Sequence, residues 1–166
     1  MADNFRLNVV TPVGKIVDAQ VVELTAPGLD GQFGILPRHA RYMTALGVGE
    51  LRYRTTDGAE EVLAVAGGFA EVSRDQVSIL AQTAEDAAML DVARAEAALH
   101  RAEARLAEPE EGVDIERASI AVEKSLVRLR VAKTRGIKLT YQPIVTTEMP
   151  IPDADAQREE HDETSI

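Results

Sequence analysis

The hydrophobic pattern of this chain changes period once, near Gln82, and that change constrains the fold more tightly than any other feature. Upstream, Phe5, Leu7 and Val9 alternate with Arg6 and Asn8. A period of two sends successive side chains to opposite faces of a strand, so one face is buried and the other wet. Downstream, Val92, Ala95, Leu99, Ala102 and Leu106 recur at steps of three and four, the seam of an α-helix. Strands come first and helices second. That order argues against βαβ units and predicts an α+β chain built in two successive parts.

Turns punctuate the strand half. "TPVGK" separates the first run from "IVDAQVVELTA", and "PGLDG" breaks that run before "QFGIL" resumes it. In "ELRYRTTDGAEEVLAVAGGFAEV", Asp57-Gly58 stands between two alternating runs, which favours a tight hairpin turn. "SRDQ" makes another turn ahead of "VSIL". Many short strands with Gly, Pro and Asp between them predict a β-sandwich or barrel. Gly67-Gly68 inside a strand pattern marks a bulge or a close backbone approach. This domain is expected to span residues 1–82.

From about residue 84 to 108, β-branched residues give way to Ala, Glu, Arg and Leu, all strong helix formers. Thr83 and Asp91 are the candidate N-caps. "EPEEG" interrupts the helix, and a second begins at Asp114 with Glu116 in its first turn, where a negative charge complements the macrodipole. Ile115, Ala118, Val122, Ser125, Leu129 and Ala132 form its seam, and Gly136 is the expected C-cap. Two helices joined by a short loop fold back on each other. Residues 83–135 are therefore expected as an antiparallel helical hairpin. Both seams are rich in small residues that bury little area, so the hairpin should be weakly held. Ile120, Val127 and Val131 make a further apolar stripe, open to two readings: docking on the sandwich, or a partner surface. Residues 136–166 show no sustained period and carry seven acids against two bases, a net of −5. That composition predicts an acidic disordered tail.

Reactive groups are sparse. The absence of Cys removes disulfides, thiolate catalysis and Cys-ligated zinc. His39, His100 and His161 stand far apart, without the spacing metal sites use. "AGGFAEV" lacks the phosphate-loop pattern, and no helix follows "PGLDGQFG". No nucleophile, base and orienting group cluster, and His39 in "LPRHAR" reads as a loop hydrogen-bonder. A net charge of −10 argues against nucleic acid as a partner. The N-terminus lacks the features of a signal peptide, and no apolar run nears the roughly 20 residues that span a bilayer. The expectation is a non-catalytic binding or regulatory protein with no required cofactor, no metal and no direct membrane insertion. One segment stands apart. From Lys124 to Lys138 the chain carries Lys124, Arg128, Arg130, Lys133, Arg135 and Lys138 and no acid. Macrodipole complementation accounts for the last helical turn only. Lys124 and Arg128 lie upstream of it, so this helix is expected to meet an acidic partner surface.

Five stretches taken together, "LNVVTPVGKI", "GQFGILPRHARYMTALGVGELR", "LAVAGGFAEVSRDQVSILAQTAE", "LDVARAEAAL" and "LRVAK", closely resemble the ε subunits of F-type ATP synthases, in order from about residue 5 to 135. The resemblance implies a ten-stranded β-sandwich followed by a helical hairpin. It implies a non-catalytic central-stalk subunit, peripheral to the cytoplasmic face of the bacterial inner membrane. In that family the sandwich joins the γ subunit to the membrane c-ring, so that proton-driven rotation reaches the catalytic head. The loop of Gly31, Gln32, Phe33 and Gly34, with His39 nearby, corresponds to the c-ring-facing region. Gln32 stands where Glu is usual, and Arg38 and Arg41 stand where Gly and Pro are usual.

The resemblance also implies that the hairpin inhibits. Extended along γ, its basic residues Lys124, Arg128, Arg130, Lys133 and Arg135 would meet an acidic loop of a catalytic β subunit and block ATP hydrolysis. Such a switch needs a small free-energy gap and different contacts in its two states, and a thin seam suits it. Some members bind regulatory ATP on the folded hairpin through an Ile/Leu-Asp-x-x-Arg-Ala motif, here Leu90, Asp91, Arg94 and Ala95. Glu85, Arg101, Lys124 and Arg128 match the rest of that site. Lys124 stands where ATP binders carry Arg, keeping the charge but losing the planar fork. The alternatives are an independent adaptor that docks through its hairpin, and a small hydrolase built on the sandwich.

Overall fold

The computed structural model describes residues 4–107 and 114–134. Seven strands precede two helices: β1 (Phe5–Thr11), β2 (Gly14–Gly28), β3 (Gly31–Ile35), β4 (Tyr42–Ala45), β5 (Val48–Thr55), β6 (Glu60–Val72), β7 (Gln76–Asp86), α1 (Val92–Ala107) and α2 (Ile115–Thr134). The alternation of β1 is realised: Phe5, Leu7 and Val9 are buried and Arg6 is exposed. β1 pairs antiparallel with β2 and parallel with β7. The path β1-β7-β6-β5-β2 therefore closes on itself, with β3 attached to β2 and β4 to β6. The result is a β-sandwich whose two layers share strands, filled by Leu7, Leu24, Leu51, Leu63 and Ile79, all fully buried.

The resemblance counts ten strands where seven run continuously. β2, β6 and β7 are long, at 15, 13 and 11 residues. β2 pairs first with β1 and then with β5 and β3. β6 leaves β5 for β4 at Gly67-Gly68. This glycine pair marks a close approach, not a bulge, because β6 and β7 keep one register from Leu63↔Asp86 to Val72↔Val77. A Cβ on Gly68 would lie 2.0 Å from the Leu80 carbonyl oxygen, on a backbone with φ of +112°. The Asp57-Gly58 turn forms as its chemistry requires: Gly58 takes φ of +88° and its N–H donates to the Thr55 carbonyl at 3.0 Å.

The expected boundary at residue 82 needs correction, because β7 continues to Asp86. Ala84 and Glu85 are good helix formers, but they pair with Val65 and Ala64, and that tertiary pairing overrides local propensity. Thr83 is thus a strand residue, and α1 starts later than its composition suggests. Asp91 is the cap, its Oδ1 accepting from the Arg94 N–H at 3.0 Å. Asp114 caps α2 the same way through Arg117 at 3.0 Å. The helices meet along the small residues of both seams, with Ala95, Ala102, Ala118 and Ser125 buried. The Ser125 hydroxyl donates to the Ala121 carbonyl at 2.9 Å, so the seam holds no unsatisfied hydroxyl there. Gly136 and the segment 136–166 lie outside the described residues.

Candidate functional site

α2 carries the chemistry through two faces. One packs on α1. The other lies on the outer surface of β5 and β6, where Val127 and Val131 are buried against Val62 and Ala64, with Val48, Ala87 and Leu90 at the edge. The apolar stripe is thereby resolved for Val127 and Val131, which dock on the sandwich. Ile120 remains 38% exposed. Val62 and Ala64 were not singled out from sequence, yet the run Val62–Ala66 signals them. It is apolar throughout and every residue is buried, the mark of a strand covered on both faces. Leu63 and Val65 point into the sandwich, and Val62 and Ala64 meet the helix.

Charged groups frame this contact. Glu85 on β7 takes the Arg128 guanidinium on both oxygens, at 2.8 Å from Nε and 2.6 Å from Nη2. The hydrogen bonds to Glu85 raise the Arg128 pKa, opposed by its partial burial. The fork geometry makes this a strong class of ion pair. The Arg130 Nε lies 3.9 Å from a Glu50 oxygen. Glu50 also accepts from both Nε and Nη2 of Arg52. A cleft with room for about one water lies beside the pair, lined in part by Ala64, Ala66, Thr83, Glu85, Lys124 and Arg128.

The expected nucleotide residues divide into two groups. Glu85, Lys124 and Arg128 share this cleft, whereas Asp91, Arg94 and Arg101 do not line it. The Asp91 carboxylate is used as a cap, and Arg94 and Arg101 are exposed on α1. Of the basic segment, Lys124 and Arg128 face the sandwich and Lys133 is exposed. Arg135 lies outside the described residues.

The sandwich presents two further surfaces. Gly31, Gln32, Phe33 and Gly34 form most of β3, and Phe33 meets Tyr42 edge to face at a centroid distance of 5.7 Å. His39 meets Tyr42 edge to face at a centroid distance of 6.2 Å, and its Nδ1 pairs with the Ala40 carbonyl at 2.8 Å. This is a loop hydrogen bond, as the sequence indicates. Arg38 takes a positive φ of 64° in the same loop, and Leu29 and Leu36 are exposed. Elsewhere Phe69 on β6 pairs across with Leu80 on β7, and Met43 on β4 pairs with Glu71 two residues along. Met43, Phe69 and Leu80 are all exposed, an apolar outer face of the kind partners cover. Among the described residues, no helix is long and apolar enough to cross a membrane.

Both halves match known protein domains. Residues 4–87 match the family described as ATP synthase, Delta/Epsilon chain, beta-sandwich domain, and residues 89–133 match its long alpha-helix domain. The chain is 46% identical over 133 residues to the ATP synthase epsilon chain of Syntrophobacter fumaroxidans, covering 80% of this chain and 98% of that one. It is 44% identical over 135 residues to the epsilon chain of Desulforapulum autotrophicum, covering 81% and 100%. Among solved structures, a chain of the Euglena gracilis mitochondrial ATP synthase, in its OSCP/F1/c-ring assembly in rotational state 1, is similar with a TM-score of 0.69 at 26% identity, covering 79% of this chain and 82% of that one. The chain belongs to the ATP synthase epsilon-chain family, whose members are non-catalytic subunits of that complex.

Proposed function

We propose that the sandwich couples rotation and that the hairpin regulates it. The apolar outer face of Met43, Phe69 and Leu80 is the surface offered to the γ subunit. The Gly31–Gly34 loop, with His39, faces the c-ring. The chain sits peripherally at the cytoplasmic face of a bacterial inner membrane, and α2 opens to meet an acidic loop of a catalytic β subunit. One observation carries this reading: α2 docks through a small apolar patch and one fork-shaped ion pair, a contact small enough to open. Deleting residues 87–166 from the assembled enzyme should raise ATP hydrolysis while synthesis survives. Unchanged hydrolysis would show that the hairpin does not inhibit. The sandwich alone should co-purify with γ and the c-ring, and its failure to do so would favour the independent adaptor.

A second reading adds regulatory ATP, favoured by the convergence of Glu85, Lys124 and Arg128 on one cleft. Phosphate oxygens would compete with Glu85 for Arg128, and Asp91, Arg94 and Arg101 would have to swing in from α1. Calorimetry on the isolated subunit should then detect ATP binding that Arg94→Ala weakens about tenfold or more. Binding that Arg94→Ala leaves unaltered rules this site out.

A further inference from the structure

The loop between β3 and β4 breaks a local rule. The His39 N–H donates to the Leu36 carbonyl at 3.2 Å, closing a turn whose central residues are Pro37 and Arg38. Pro at the second position and a positive φ at the third define a type II turn, and Arg38 takes φ of 64°. That third position calls for Gly or Asn, because a longer L side chain meets backbone repulsion there. Among the described non-glycine residues, Arg38 is the one with a positive φ. What arginine supplies at such a site, and Gly or Asn does not, is a guanidinium. The charge does not stand alone. Between Asp30 and Glu50 the chain has no acid and carries Arg38 and Arg41, in a protein of net charge −10. Both arginines are exposed, and Leu36, which opens the turn, is 59% exposed.

We infer that Arg38 and Arg41 form a carboxylate-reading surface whose partner is an acidic site on the c-ring. The choice of partner rests on the reading of β3 as c-ring-facing. The loop is tied to that strand, because the rings of Phe33, Tyr42 and His39 meet in succession at 5.7 and 6.2 Å. The arginines therefore stand on a braced loop, and bracing lowers the entropy lost on binding. The planar fork of each matches a carboxylate on two oxygens. Exposed Leu36 adds an apolar contact beside the charges. An anionic lipid surface is the weaker fit. Such surfaces select clusters of about four to eight basic residues, and the field of an acidic chain opposes approach to them. Two arginines close in sequence suit discrete carboxylates instead. They make this loop a specificity element: it accepts a c-ring bearing that acid and rejects one bearing a base in its place.

A carbodiimide joins carboxylates to amines but not to guanidinium groups. Arg38→Lys and Arg41→Lys would be built separately into the assembled enzyme, treated with a carbodiimide, and the products mapped by mass spectrometry. The amine introduced at either position should be joined to a carboxyl side chain of the c subunit, a link absent from the parent. Arg38→Glu should lower the proton gradient built per ATP hydrolysed about twofold or more, in vesicles of pure phosphatidylcholine as well as in vesicles containing anionic lipid. Replacing the mapped acid of the c subunit by Arg should restore it. On the isolated chain, Arg38→Asn should raise the thermal midpoint by about 2 °C or more. A link to γ alone, or no link from either position, overturns the inference, as does an effect of Arg38→Glu confined to anionic vesicles. A midpoint that fails to rise also overturns it, because Arg38 would then serve the fold. Gln32→Cys is unique in a chain without Cys and exposed on β3, so a photo-crosslinker placed there separates the two readings. If it captures the c-ring while the amines at positions 38 and 41 do not, the c-ring reading stands and the arginine contact falls. If neither probe reaches the c subunit, both fall.

Discussion

At residue scale, backbone geometry separates glycines that composition treats alike. Gly58 faces open space, so Gly58→Ala meets only the cost of a positive φ, about 1 kcal/mol. Gly68→Ala would drive a methyl into the Leu80 carbonyl and should cost about 3 kcal/mol or more. Urea unfolding of the two variants should differ accordingly. Burial pushes the Tyr53 phenol up to about 12, helped by the nearby charges of Glu61 and Asp86. The folded chain therefore keeps a proton that the unfolded chain releases near pH 10. The associated stability is complete below about pH 10 and is lost as pH rises toward 12. Tyr53→Phe should flatten that alkaline loss, read from urea midpoints at about pH 9 and 11. The Asp57-Gly58 turn was legible because turn chemistry is local. Gly68 was half legible: two glycines in a strand announced something close, but only the register of β7 identified Leu80 as the obstacle.

At element scale, the helices were legible where they depend on their own sequence. The seams and the caps at Asp91 and Asp114 obey rules confined to a few neighbouring residues, and Asp91→Ala should cost about 1 kcal/mol of α1 stability, seen as faster amide exchange in its first turn. Sequence left the start of α1 open between Thr83 and Asp91 because the fate of Ala84 and Glu85 is decided by β6, some twenty residues earlier. The ion pair between Glu85 and Arg128, 43 positions apart, left no mark in local pattern. The docking face of α2 gives a graded test. Val131 is fully buried, so Val131→Ala should weaken docking by about 1–3 kcal/mol and speed exchange throughout α2. Leu126 is 44% exposed, and Leu126→Ala should stay within about 0.5 kcal/mol.

At the scale of the whole molecule, the described residues form two separate cores. The larger contains sandwich residues only, and the smaller joins α2 to the outer face of β6. A chain ending at Leu90 should therefore retain a cooperative thermal transition and the strand signature in circular dichroism. Loss of that transition would mean that the sandwich depends on its helices. The order of strands before helices was plain in the sequence. The parallel pairing of β1 with β7 was not, since nothing near either strand records which distant edge it will meet. That pairing has a mechanical consequence. An open sheet under a twisting load can shear along its free edges, but here the five-strand ladder returns to its starting strand. Slippage at one rung must displace every other rung, which makes the sandwich a stiff spacer. Compliance is left to what packs outside the ring, above all the helical hairpin and the seat of α2 on β5 and β6.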